Sequence, residues 1–373
     1  MDQIHLISLI FIIAFLIQVY FHFKYFFTFV FNPNQSSTEN HKKEAVSVII
    51  CAHNELENLK QNLALFLNQE FDDYEVILVN DRSDDGSKDW LISQSESHPH
   101  LKYIHIEKTP KNFNSKKYAL TKGIEFAKND IILLSDADCQ PASKYWVDRM
   151  SQSFTKSASI VLGASLYKKR KGLLNQFIRF ETLQTALLYL SFAFKNEAYM
   201  GIGRNMAYRK SFFLANGGFK ELSSILGGDD DLWVNRHTNK ENTSICTDSK
   251  SLTFSIPEYK WSSFFKQKKR HLSVGKYYKF KDKLKLGIFH FSQTLLWILF
   301  ILGLVLGSPT DCLILSFLIL MYIVGQYVVF YKLSINFGIK YAHYNLPVLE
   351  ILFILYYWIW GIYASLTKHL KWK

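Results

Sequence analysis

Two aspartates, Asp136 and Asp138, close the apolar run Ile131-Ile132-Leu133-Leu134-Ser135. In an extended chain, residues two apart point to the same face. Two carboxylates so placed repel each other unless a proton or a cation sits between them. A hard divalent ion, Mg2+ or Mn2+, supplies that charge and bridges to phosphate oxygens. The plain alternative is a pair of exposed turn residues. A second run, Glu75–Asn80, ends in Asp81-Arg82-Ser83-Asp84-Asp85-Gly86-Ser87. Short acceptors with a glycine make a tight turn that caps a following helix. Asp81 is then placed to accept from a nucleobase imide or a ribose, if the turn is more than a surface loop.

A third run, Val46–Ile50, leads into Cys51-Ala52-His53-Asn54-Glu55. This polar turn opens a helix whose free N–H groups suit an anion or a base, or else Asn54 simply caps it. Farther on, Gly227-Gly228-Asp229-Asp230-Asp231 precedes Leu232-Trp233. One aspartate suffices to cap a helix; three exceed that need, and one of them could act as a general base.

These residues need a scaffold that ends its strands at one rim. Short β-rich runs at Val46–Ile50, Glu75–Asn80, Tyr103–Ile106, Ile131–Ser135 and Ser159–Gly163 alternate with helical stretches near Glu55–Asn68, Ser87–Ser97, Ser115–Lys128 and Ser143–Phe154. Continuous apolar strands between helices predict an α/β fold with a mostly parallel, doubly wound sheet. In such sheets ligands bind beyond the carboxyl ends of the strands, which is where these acidic turns fall.

Long apolar blocks flank this middle part. Ile4–Phe31 reads as a membrane helix, and Gly287–Gly307, Cys312–Tyr331 and Pro347–Leu366 each have about the length that crosses a bilayer. The chain divides into three parts: residues 1–32 as an N-terminal membrane helix, 33–286 as a cytosolic catalytic domain, and 287–373 as about three C-terminal membrane helices. Lys42, Lys43, Lys279, Lys281, Lys283 and Lys285 put the middle on the cytoplasmic side of the plasma membrane by the positive-inside rule. Four crossings then carry Lys368, Lys371 and Lys373 outward, so either the last block does not cross or the tail is an exception. Leu173–Phe194 is apolar with Arg179, Glu181 and Gln184 interspersed; it suits a helix on the membrane surface or a buried core helix.

The net charge of +12 over 373 residues fits lipid headgroups and a diphosphate substrate. Nucleic acid is excluded as a partner, since the cations are dispersed and no zinc-finger or RNA-binding motif appears. Cys51, Cys139, Cys246 and Cys312 form no CxxC pair, which excludes a disulfide framework or a zinc site.

The series as a whole resembles the family-2 glycosyltransferases, of GT-A fold, over roughly residues 45–275. The matching residues are Asn54-Glu55, Asp81 with Asp84-Gly86-Ser87, Lys116-Lys117, Asp136-Ala137-Asp138, Gly203-Arg204-Asn205-Met206-Ala207-Tyr208-Arg209 and Gly228-Asp229-Asp230-Asp231-Leu232. The resemblance implies a nucleotide-sugar donor, with Ala52, Asn54, Glu55, Asp81, Ser83, Lys117, Asp136 and Arg270 on the donor side. It implies Mg2+ or Mn2+ on Asp138 with Asp136. Asp229 becomes the first candidate for the catalytic base and Asp230 the second, because Gly228 stands where the family usually has Glu. Arg204 and Asn205 fall in the acceptor-side loop.

Gln267-Lys268-Lys269-Arg270-His271 resembles the Gln-x-x-Arg-Trp motif of membrane polysaccharide synthases, with His271 in place of Trp. Gln267 would face the acceptor, Arg270 the leaving diphosphate, and Lys268 and Lys269 lipid headgroups. The expectation is inverting sugar transfer to a lipid-linked or saccharide acceptor. A processive synthase and a non-catalytic nucleotide-sugar-binding membrane protein are the alternatives.

Overall fold

The computed structural model describes residues 3–32 and 43–366. Lys42, Lys368, Lys371 and Lys373, and the extreme ends of the predicted membrane parts, lie outside them. A seven-stranded sheet has the order β3-β2-β1-β4-β8-β6-β9. Its first four strands are β1 (Val46–Ala52), β2 (Tyr74–Asp81), β3 (Leu101–Ile106) and β4 (Ile131–Asp136), all parallel. They coincide with the apolar runs, because a strand covered on both faces has no polar alternation. β6 (Ile160–Leu162) and β9 (Thr243–Ile245) extend the sheet, and β8 (Met206–Arg209) runs antiparallel between β4 and β6. A small second sheet joins β5 (Cys139–Pro141), β10 (Thr253–Ser255) and β7 (Ser165–Tyr167).

The connecting helices are α3 (Leu56–Leu67), α4 (Ser87–Ser97), α5 (Ser115–Phe126) and α6 (Trp146–Gln152), preceded in the chain by α1 (Gln3–Phe21) and α2 (Thr28–Phe31). α5 packs tightly on the sheet at Gly123, where a Cβ would lie 2.8 Å from Ile49. Next come α7 (Leu173–Phe194), α8 (Lys210–Ala215), α9 (Asp231–His237) and α10 (Trp261–Leu272). The chain closes with α11 (Phe280–Leu306), α12 (Pro309–Asn336) and α13 (Leu346–Leu366).

Four helical stretches are long and apolar enough to cross a membrane: Leu6–Phe31, Phe280–Leu306, Pro309–Asn336 and Leu346–Ala364. The first contains a π-helical turn at His22–Phe27 between α1 and α2, which periodicity does not foretell. A π turn inserts an extra residue and so rotates the rest of the helix about its axis; here Tyr25, Phe26, Phe29 and Val30 are all buried.

α7 decides between the two readings of its sequence: it is a core helix. Phe177, Phe180, Leu187 and Phe192 are buried. Tyr189 donates to the carbonyl of Gly163 at 2.6 Å, fixing the helix to the sheet. Phe192 packs 4.3 Å from Tyr25, and Phe180 stacks on Phe330 of α12 at 5.3 Å. One apolar cluster therefore runs from the sheet through α7 into the apolar helices, each buried aromatic or aliphatic side chain stabilising it by about 1.5–3 kcal/mol.

α10 is held by the same helix. Lys268 is not at the lipid surface: it is buried and its Nζ lies 2.6 Å from the carboxylate of Glu181. Removing one partner of a buried pair strands the other charge, at about 3–5 kcal/mol. Glu181→Gln or Lys268→Met alone should lower the thermal midpoint in detergent micelles, and the double variant should recover most of the loss.

Candidate active site

Parallel register sets the rim. Cys51 pairs with Asp136 across β1 and β4, and Ala52 with Asn80 across β1 and β2. Asp136 and Asp81 therefore end their strands on either side of β1. Across the rim, Lys116 in the first turn of α5 places its Nζ 3.1 Å from Asp136 and 3.2 Å from Asp229. One ammonium thus joins the end of β4 to the turn before α9. Burial works against the charged form of Lys116, but Asp136, Asp229 and Asp230 hold its pKa well above the ordinary lysine value. Cys51 lies among the same groups: burial pushes its thiol up, and Asp136, Asp81 and Asp229 add to the shift.

The two turns after β1 and β2 are knitted together. Asn54 adopts a left-handed backbone, φ 56°; its N–H donates to Ser83 Oγ at 2.9 Å, and its Oδ1 accepts from the N–H of Asp84. Glu55 stands at the N-cap position of α3 without a side-chain capping bond, and its carboxylate accepts from Asn58. Asp85 takes the N–H of Leu56 at 2.8 Å on one oxygen and the N–H and Oγ of Ser87 on the other. It so satisfies amides at the starts of both α3 and α4. Burial favours its protonated form, but these donors outweigh that and hold its pKa below the ordinary aspartate value. Asp81 is buried and receives both arms of the Arg82 guanidinium, at 2.7 and 3.0 Å. Ala52 has its side chain in the core, leaving only backbone for a ligand.

The strand stops at Asp136, and Ala137–Asp138 form a turn into β5. The aspartates are thus not two residues along one extended strand, as the spacing implied. They nonetheless feel each other. Burial, then the charge of Asp136, raises the Asp138 pKa, against the pull of Arg204 and a contact with Cys139. Among the described residues no three His, Cys, Asp or Glu side chains cluster into a complete metal site. Two hard oxygen ligands with surplus negative charge suit a divalent cation that shares its remaining positions with phosphates. Arg204 stacks over Tyr167 at 4.7 Å and donates to Ser255 Oγ at 2.9 Å, close enough to Asp138 and Asp136 for their charges to stabilise it.

The three aspartates at the start of α9 have separate tasks. Asp230 accepts from the N–H of Gly203 at 2.8 Å and from the N–H of Asp231, so it ties the Gly203–Tyr208 segment to the helix start. Its pKa is raised by burial and by Asp229. Asp231 accepts from Leu232 N–H and the Tyr278 hydroxyl. Asp229 is buried, which favours protonation, but Lys116 and then Lys117 hold it ionised with a lowered pKa.

Two predicted donor or acceptor residues turn elsewhere. Lys117 is fully buried and donates to the carbonyls of Ile225 and Gly227, bracing the loop before Asp229. Burial lowers its pKa. Asn205 is also fully buried, bonded to Ala164, Ser251 and Trp146. On α10, Gln267 and Arg270 are partly exposed, and the positive charge of Arg270 is felt at Lys116.

Arg82 and Asp85 were not singled out as candidate site residues, and Lys116 entered only among the residues that carry the resemblance, with no role given to it. For the lysines a signal exists. Lys117 stands three before Leu120 and seven before Ile124, on the buried stripe of α5, so its neighbour faces the rim.

Residues 47–215 match the family described as Glycosyl transferase family 2. That part of the chain is a family-2 glycosyltransferase domain, and the sheet is of the GT-A type. Similar proteins include the Probable glycosyltransferase YdaM of Bacillus subtilis, 30% identical over 165 residues, which are 43% of this chain and 39% of that protein. The Poly-beta-1,6-N-acetyl-D-glucosamine synthase of Staphylococcus epidermidis is 27% identical over 101 residues, 27% of this chain and 23% of that one. The chain thus matches less than half the length of these curated relatives. Among solved structures, the mannosyltransferase PcManGT from Pyrobaculum calidifontis, in complex with GDP-Man and Mn2+, superposes with a TM-score of 0.57 at 15% identity, covering 96% of this chain and 99% of that one. At that identity the likeness is one of fold.

Asp85 offers a test of the rim's construction. Because its pKa is lowered in the fold, its contribution is complete above the unfolded aspartate value of about 3.9 and fades as pH falls below it. Asp85→Ala should cost about 1 kcal/mol at neutral pH, with the gap to the parent narrowing in thermal melts as the buffer is taken toward pH 3.

Proposed function

We propose that the chain is a membrane-anchored, inverting glycosyltransferase acting on a nucleotide-sugar donor and a membrane-associated acceptor, lipid-linked or saccharide. The observation that carries the reading is the bridge of Lys116 between Asp136 and Asp229, which brings a donor-side and a base-candidate carboxylate to one rim. The basic flanks of the middle part support a catalytic domain on the cytoplasmic face of the plasma membrane.

In this reading Asp81, with the Asn54–Ser83 turn, receives the base and ribose. Arg82 must release Asp81 when the base binds. Asp138 with Asp136 would hold Mg2+ or Mn2+, whose charge would neutralise the donor diphosphate. Arg270 and Arg204 add fixed positive charge on the same side of the rim. Asp229 is the base. Asp230 is engaged by Gly203 and its own helix, and Asp231 by Tyr278, whereas Asp229 meets the rim through Lys116. The acceptor hydroxyl attacks the anomeric carbon and its proton passes to Asp229. The bond from that carbon to the diphosphate oxygen breaks, and the nucleoside diphosphate leaves with the electron pair. Attack opposite the leaving group inverts the anomeric configuration.

Asp229→Asn should lower kcat by roughly 10^2–10^4-fold while donor binding persists, read by nucleoside diphosphate release across a panel of nucleotide sugars. Asp230→Asn should instead lower the thermal midpoint. Calorimetry with UDP or GDP should detect binding only with Mg2+ or Mn2+ present and not with chelator, and Asp138→Ala should abolish that dependence. Full turnover in folded Asp138→Ala would reject the metal role.

A further inference from the structure

α13 has the length of a membrane span, but its two ends touch the same part of the protein. At its start, Asn345 donates to Gln176 in the first turn of α7 at 2.8 Å, and just before it the carbonyl of Lys340 accepts from Arg179. Toward its end, Trp360 stacks on Phe265 of α10 at 4.4 Å, and Lys269 of α10 lies 4.2 Å over the ring of Tyr363. α10 carries Lys266, Lys268, Lys269 and Arg270 within one short stretch. Such a run does not enter hydrocarbon, and α10 is fixed to α7 by the Glu181–Lys268 pair. A helix of 21 residues is about 32 Å long, against a hydrocarbon core of about 30 Å. Were α13 to cross, its far end would lie on the opposite side from α7 and α10.

The middle of α13 lies across α11 rather than along it. Glu350 accepts from Gln293, His290 stacks on Tyr357 at 3.9 Å, and Trp358 donates to Thr294. All three partners fall within residues 290–294 of α11, a few residues after its charged start at Lys281–Lys285. These residues lie in the half of α11 nearer the catalytic domain, and Glu350 also accepts from Tyr322 midway along α12. On the face of α13 turned from the protein, Val348, Ile351, Leu355, Ile359 and Ile362 form one helical stripe, exposed at 59%, 37%, 53%, 62% and 54%. The stripe is apolar throughout, and α11 is likewise exposed and apolar at Ile288 and Phe291.

We infer that α13 does not cross the membrane but lies along its plane in the leaflet beside the catalytic domain, with the Val348–Ile362 stripe in the acyl chains. The occupant of the stripe is lipid. α1–α2, α11 and α12 are then the crossings, and the chain leaves α13 on the side of the catalytic domain. This also removes the charge conflict in the sequence, since a fourth crossing sends the lysines after Leu366 outward. The helix that carries Gln267 and Arg270 rests on α13 through Phe265 and Lys269, so the leaflet itself supports that edge of the rim. The placement of α13 does not depend on which reaction the rim performs.

A protease-sensitive epitope fused after Lys373 of the full chain tests it without any substitution. Digestion in inside-out but not right-side-out membrane vesicles is expected; the reverse pattern establishes a fourth crossing and overturns the inference. Independently, nitroxides on single cysteines at 351, 355, 359 and 362, in vesicles of phosphatidylethanolamine and phosphatidylglycerol, should report one shallow depth by oxygen and nickel-chelate collision. A depth that grades through the bilayer midplane along those positions would likewise reject it.

Discussion

Acidic groups at the end of a buried sheet repel one another, and that repulsion is the constraint the catalytic half answers. Asp136, Asp138, Asp229, Asp230 and Asp231 come from only two short stretches of chain, and burial weakens the screening that water would give. Lys116 meets the demand from a third element, bonded to Asp136 and Asp229 at once. The remaining acids are answered by local donors: Gly203 and Asp231 amides for Asp230, Tyr278 for Asp231. Asp138 keeps a pKa raised by burial and by the charge of Asp136, as Asp230 does by burial and Asp229. Lys116 meets the Asp229 side of the rim and Arg204 the Asp138 side; in the proposed reading Asp229 would be the base and Asp138 the metal ligand.

The same economy holds the turns in place. Asp85 serves two helix starts, Asn54 crosses from one turn to the other, and Lys117 braces the loop that ends in Asp229. None of these side chains has to touch substrate for its loss to move the rim. Asp230 makes the coupling tighter still, because the Gly203 segment and the start of α9 share its carboxylate.

Much of this was legible in the residues themselves. The parallel strands were readable because burial on both faces leaves unbroken apolar runs, and the acidic turns then fell at the strand ends by topology. β8 and the small sheet were not readable: Met206–Arg209 and Ser165–Tyr167 are too short to show a period, and their pairing depends on long-range contacts. Asn205 and Lys117 were placed on the ligand side by the family resemblance. Each instead satisfies buried carbonyls, a role that hydrogen-bond geometry reveals and residue type does not. Leu173–Phe194 was ambiguous because a helix buried among membrane helices and a helix resting on lipid both need an apolar majority; the partner, not the pattern, decides.

The unbroken apolar cluster through α7 has a consequence for how the molecule can be divided. Phe177, Phe180 and Phe192 share one face of the helix and meet Tyr356, Phe330, Phe21 and Tyr25, while Tyr189 ties the helix to the sheet. Cutting away the hydrophobic ends to obtain a water-soluble fragment would strip these rings of their partners along the whole length of α7. The excised piece would carry an apolar flank that favours self-association, so the two halves share one packed core.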